Sequence, residues 1–310
     1  MTATKYRFGP ATFHFLQTDG PRGFLLRYAL AYALVSVGVQ AASLWLQGPV
    51  YEIYFRACVE NGCDFTPYTD ELNSAGVQAN LSALMLLPLT LGIWVVFEAA
   101  SQRRYIRGEG FRLALGGDEG RLAIVSLIWA ALLIVGYFAL VIGALIPGLI
   151  LGLALGAAAG VIAGALALLA GAGVALWLFA RLSPASALTI RDREIRFFEA
   201  WPLSRGQGGG LALSYLALFL AFLVVTILAY GALLIMGIAL LPPSLTDGGG
   251  DADAISDAVR QPGFWMPLTL AFLPAAGLLS VFAHALGGPG AWVVRARTLS
   301  HGTALSETFS

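Results

Sequence analysis

The chain predicts an all-α polytopic membrane protein, six transmembrane helices joined by short segments that include interfacial helices, and three observations carry that prediction. It is 58% hydrophobic and 12% charged, whereas soluble domains carry charge on about a quarter of their residues. Runs free of Asp, Glu, Lys and Arg cover 28–51, 72–97, 122–180, 206–246 and 261–294, and a bilayer core about 30 Å thick takes roughly 20 apolar residues per helix. Of the 18 Lys and Arg residues, all but Arg56 and Arg260 fall in four clusters that alternate with acidic, cation-poor segments. The net charge of zero hides this asymmetry and argues against a nucleic-acid partner, which calls for a basic surface.

The spans follow in order. Lys5, Arg7, Arg22 and Arg27 precede or open the first, 24–46. Residues 1–23 carry charge without an apolar stretch ending in a cleavage site, so that helix is expected to be retained as the insertion signal. Phe8, Phe13, Phe15 and Leu16 ahead of it suit a membrane surface. Next come an acidic, turn-rich loop over 47–78 and the second span, 79–98. The third charge-free run is too long for one helix, and Pro147–Gly148 inside it offers a turn, giving spans 122–145 and 149–180. The latter would reach about 48 Å, a length that tilt, extension beyond lipid or a re-entrant stretch near 143–160 would absorb. Spans 211–241 and 266–287 complete the set, with a second acidic loop over 242–265. The loops are too short for separate folding, so 1–310 is read as one integral domain. Placing an Arg at a helix centre costs roughly 3 kcal/mol, and the positive-inside rule then puts both termini in the cytoplasm of a bacterial inner membrane.

Several constellations carry chemistry or packing. Cys58 and Cys63 stand alone as cysteines, and Asn61–Gly62 between them favours a tight turn, which predicts a local disulfide in an oxidising compartment. Gly152, Gly156, Gly160 and Gly164 repeat every four residues, a small-residue ladder that lets another helix approach, within the bundle or at a subunit interface; a ligand groove would read the same way. Pro88 and Pro274 should kink the second and sixth spans. No Asp, Glu, Lys or Arg lies near a span centre, which counts against a proton-coupled carrier. Gln40, Tyr137, Thr226 and Tyr230 are the deeper polar groups, and interhelical hydrogen bonds are expected of them. His284 reads as an interfacial ring, and with His14 and His301 it makes no metal spacing.

Glu98 closes the second span, where the helix dipole disfavours a carboxylate, so a salt bridge to Arg103, Arg104 or an arginine of the following loop is expected. Asp118 and Glu119, beside Arg121, would complement the dipole at the start of the third span. Residues 189–203 place Ile195, Phe198 and Trp201 at helical spacing among charges, which predicts an interfacial helix. The run Asp247, Asp251, Asp253 and Asp257 lacks the EF-hand spacing.

The stretch Arg181-Leu-Ser-Pro-Ala, with Glu199-Ala-Trp201-Pro-Leu-Ser-Arg205-Gly206, resembles a cytoplasmic signature of bacterial six-helix membrane proteins grouped with the membrane domain of glycerophosphoryl diester phosphodiesterases. Gly116-Gly-Asp118-Glu119-Gly-Arg121 is similar to a segment of the same proteins. Pro184 and the run Gln207–Gly210 depart from the usual pattern. The resemblance implies a six-helix module whose signature residues (Glu98, Asp118, Glu119, Arg121, Arg181, Trp201 and Arg205) face the cytoplasm. The diesterase activity of such proteins resides in a separate soluble barrel of more than about two hundred residues, which nothing in this chain could encode, so it is not carried over.

There is no Walker A loop, G-x-S-x-G elbow, H-E-x-x-H pair or G-x-G-x-x-G in strand–helix context. The expected function is a non-enzymatic integral membrane module that binds or helps organise other membrane proteins or lipids. Its partners would be membrane lipids and another membrane protein or a second copy of the chain, with no cofactor and no metal. The alternative, a carrier or channel for a small apolar or lipidic substrate, asks for an open cavity lined by Gln40, Tyr137 or Tyr230. An enzyme at the interface would need Glu98, Asp118 and Glu119 to converge on one cavity.

Overall fold

Leucine and alanine dominate the apolar runs, and both are strong helix formers, so the backbone can satisfy its own hydrogen bonds as lipid requires. The computed structural model describes residues 6–239 and 261–308, and among these every regular element is helical. In chain order they are α1 (Phe8–Thr12), a 3-10 turn (His14–Leu16), α2 (Phe24–Asn61), a second 3-10 turn (Thr66–Tyr68), α3 (Thr69–Arg107) and α4 (Gly117–Leu155). α5 (Ala157–Leu182), α6 (Ala185–Asp192), α7 (Ala200–Leu203), α8 (Gly208–Ala239) and α9 (Pro262–Thr308) follow. Six helical stretches among the described residues, centred on α2, α3, α4, α5, α8 and α9, are long and apolar enough to cross a membrane. Large apolar side chains on them face outward, Met85 at 81% and Leu153 at 80% exposure, a surface that has lipid as its solvent. This is a multi-pass membrane protein. Asp247, Asp251, Asp253, Asp257 and Arg260 lie outside the described residues, as does Lys5.

The chain divides into two compact units. The first draws on the described parts of Met1–Arg22, Val95–Ala221 and Phe282–Ser310, the second on Gly23–Trp94 and Phe222–Val281.

In the first unit, α4 runs unbroken through Pro147 and ends at Gly156, where φ 96° and ψ 164° is a backbone conformation essentially reserved for glycine. The turn expected at Pro147–Gly148 is therefore eight residues later. A proline inside a helix removes one hydrogen bond, which membrane helices tolerate, whereas the reversal demands a residue without Cβ. Gly152 thus sits on α4, Gly156 is the turn itself, and Gly160 and Gly164 sit on α5. A Cβ on Gly160 would fall 2.6 Å from the Gly148 carbonyl and 2.8 Å from the Gly152 Cα. These glycines line the seam of one hairpin, where the expectation had them share one face of a single helix.

The same unit buries Ala180, Leu211, Tyr215 and Val293 together. Its close approach of α9 depends on glycine: a Cβ on Gly290 would fall 2.6 Å from the Ser183 carbonyl. Residues 189–203 do not form one interfacial helix. α6 stops at Asp192 because Arg193 turns left-handed (φ 57°), and only Ala200–Leu203 resume helix. Ile195 and Phe198 are exposed while Phe197 is buried against Trp129.

In the second unit, the segment 47–78 read as a loop is mostly helix. α2 continues through Pro49 to Asn61 and α3 starts at Thr69. Side chains one turn apart support the extension, Gln47 to Ser43 at 2.7 Å and Arg56 to Glu52 at 3.0 Å. Gly62 turns left-handed and the Cys63 N–H returns to the Ala57 carbonyl, closing the helix as the Asn61–Gly62 pair suggests. Cys58 and Cys63 are joined by a disulfide. Ile53, Ala57 and Tyr68 make a small core with Phe65, Leu72 and Ala75.

Candidate functional site

The end of α3 and the first turn of α4, both in the first unit, hold a dense cluster of charge. Arg103 and Arg107 are one turn apart on α3 and so share a face. Asp118 and Glu119 open α4, where the exposed N–H groups favour negative charge. Glu119 works twice: its Oε1 accepts from Arg103 Nη1 at 2.5 Å, and its Oε2 accepts the Gly116 N–H at 3.0 Å, capping the helix. Asp118 is shared by Arg107 at 2.7 Å and Arg121 at 3.1 Å. Glu109 lies 3.7 Å from Arg103 and 3.6 Å from Arg107. Arg103 also donates to the Arg112 carbonyl at 3.0 Å and Arg107 to the Ile190 carbonyl at 2.5 Å.

Beside these side chains lies an open cavity of about 300 Å³, lined by Arg103, Arg107, Arg112, Arg121 and Arg193 with Asp118 and Glu119. Arg112 and Arg193 are exposed and, among the described residues, neither guanidinium forms an ion pair or hydrogen bond. The cluster sets five guanidiniums against the carboxylates of Glu109, Asp118 and Glu119.

Glu98 is elsewhere. Its expected cation is not there: Gln102 Nε2 donates to it at 3.0 Å and the Ser186 side chain also bonds to it, and among the described residues it makes no salt bridge. The arginines beyond it on α3 are committed to Glu109, Asp118, Glu119 and, for Arg104, to Thr18 at 3.0 Å. Asp118 and Glu119 line the arginine cavity and Glu98 does not.

The other signature residues form a separate staple. Arg181 lies over the Trp201 ring at 4.1 Å and the Trp177 ring at 5.3 Å, and donates to Ser204 at 3.0 Å and the Trp201 carbonyl at 2.7 Å. Cation–π contact and hydrogen bonds together pin α7 to the end of α5. Arg205 is exposed and outside both groups.

Sequence reasoning missed a buried column of rings. His14 stacks on Tyr105 at 5.3 Å and Tyr105 on His284 at 4.6 Å. Ser101 bonds His284 Nδ1 at 2.5 Å, and the Tyr105 hydroxyl donates to the His284 carbonyl at 2.8 Å. His284 is therefore 1% exposed, packed inside the unit. Burial first, and then the Arg295 charge, push the His14 imidazole down to about 4. Among the described residues, the deep polar groups expected to bond between helices do not: Tyr137 and Tyr230 are exposed, the Thr226 hydroxyl is buried with no partner, and Gln40 makes no hydrogen bond.

A second volume, about 620 Å³, runs along the α4–α5 seam and is lined only by Gly, Ala, Leu and Val, including Gly148, Gly152, Gly160 and Gly164. Neither it nor the arginine cavity is lined by Gln40, Tyr137 or Tyr230. Comparison with protein-family models, curated proteins and solved structures finds no match.

Proposed function

We propose that this chain is a non-enzymatic multi-pass module of a bacterial inner membrane, with both termini cytoplasmic, that binds anionic lipids and helps organise neighbouring membrane proteins. One observation carries the reading: an arginine-lined cavity at the ends of two spanning helices, with Arg112 and Arg193 unpaired in it. Arginines at that depth meet the headgroups of a cytoplasmic leaflet, each worth about 1 kcal/mol near an anionic surface. The distribution of the other cations supports the same orientation.

The test is gentle extraction of the protein with its surrounding bilayer, followed by mass spectrometry of lipids and proteins together. Anionic lipid enriched over the bulk membrane is the expected result. A lone monomer without retained lipid or co-purifying protein overturns the reading, and a terminal tag reached only from the periplasm overturns the orientation.

A further inference from the structure

We propose that the cavity between α3, α4 and Arg193 binds a terminal phosphate, a phosphomonoester dianion, through Arg112 and Arg193. This deepens the lipid-binding reading and rests on it for the source of the ligand, while the chemistry of the site stands separately.

The division of labour among the arginines carries the argument. Arg103, Arg107 and Arg121 are held by Glu119 and Asp118 at 2.5–3.1 Å, so their positions are set before any ligand arrives. Gly117 keeps room for one of them, since a Cβ there would lie 3.3 Å from Arg121 Nη2. Arg112 and Arg193 line the same cavity with their donors unspent. Nearby Arg191 and Arg196 are occupied by Asp192 and Glu194. A guanidinium presents a planar fork matched to phosphate oxygens, and the first N–H groups of the long helix α4 point toward this end with its positive dipole.

Charge selects among phosphates. Five guanidiniums line the cavity with Asp118 and Glu119, and Glu109 pairs with Arg103 and Arg107 from outside that lining, so the cluster as a whole carries a surplus of two positive charges. A phosphomonoester carries close to two negative charges above its second pKa of about 6 and neutralises the site. A phosphodiester headgroup carries one and leaves a cation unmatched in a partly enclosed space.

The full chain in phosphatidylcholine nanodiscs provides the test. Binding of inorganic phosphate is measured by titration calorimetry, and binding of lipid by native mass spectrometry with phosphatidic acid or phosphatidylglycerol added. Phosphate, phosphatidic acid or both should bind, phosphatidic acid above phosphatidylglycerol, and affinity should rise with pH as each probe takes on its second negative charge. Arg112→Gln and Arg193→Gln should each weaken binding about tenfold or more, and Arg22→Gln, outside the cavity, should not. Neither Arg112 nor Arg193 is in an ion pair among the described residues, so both variants should fold, which their thermal unfolding checks. Equal binding by the variants, equal binding of phosphatidylglycerol, or no binding of either phosphate overturns the site. Free phosphate bound without phosphatidic acid supports the site and refutes a lipid source. Other anionic lipids retained through the variants would leave the lipid-binding module standing with this site refuted.

Discussion

In the unit that contains the α2–α3 hairpin, Arg56 reaches Glu52 at 3.0 Å and Glu71 at 3.4 Å, with the Arg56 side chain 31% and the Glu71 side chain 57% exposed. In the unit that contains the arginine cavity, Arg103 reaches Glu119 with side chains 3% and 6% exposed. The bond is the same chemistry in both places. Its weight differs because water screens the first and is excluded from the second: an exposed pair contributes about 0–1 kcal/mol, whereas removing one partner of a buried pair strands a charge at about 3–5 kcal/mol. The two regions are accordingly held by different means. The hairpin tip relies on a disulfide and a small apolar core, and the other unit on a larger apolar core that also takes in buried polar and charged groups.

The largest test of this contrast is Glu119→Ala, which takes the closest carboxylate from buried Arg103, leaving it Glu109 at 3.7 Å, and removes the cap of α4. Thermal unfolding in nanodiscs should show a loss of about 3–5 kcal/mol, and a loss below about 1 kcal/mol would mean that Arg103 is solvated after all. Next is pH. His14 titrates at about 4 when folded and near 6.5 when unfolded. The unfolded state therefore takes up the proton first, and stability is complete above pH 6.5 and is lost as pH falls toward 4, by about 3 kcal/mol. His14→Phe keeps a ring against Tyr105 and should make the slope in that window shallower; an unchanged slope would place the titration elsewhere. The exposed Asp19 carboxyl is lowered by its hydrogen bond to Arg295, so its smaller contribution is lost only below its ordinary range.

The hairpin should respond less. Cys58→Ser opens a loop of sequence separation 5, which the chain-entropy account values at about 2 kcal/mol, read as increased proteolysis at 62–68. Glu71→Ala should cost under about 1 kcal/mol and be abolished by salt; a cost comparable with that of Glu119→Ala would erase the distinction between the two regions.

Some of the site was legible in advance. Arg103 and Arg107 are spaced one helical turn apart, and Asp118–Glu119 sit where a helix start wants carboxylates, so their pairing could be anticipated from local rules. Arg193 could not be assigned to the same cavity, because it stands far along the chain and its place depends on a left-handed residue ending α6. Glu98 drew an amide and a hydroxyl because the cations near it in sequence had closer acids to hold. His284 looked interfacial from its distance to the span end, and only packing against Ser101 and Tyr105 buried it.

Composition and periodicity by themselves determined the all-α class, the six apolar stretches and the closing turn at Asn61–Gly62, since hydrocarbon thickness and backbone hydrogen bonding act on each segment locally. Where the α4–α5 hairpin turns, how far α2 extends and which arginines share a cavity were decided only by the tertiary structure. Those outcomes depend on which groups distant in the chain come within a few ångströms, where a missing Cβ or a buried charge outweighs local preference.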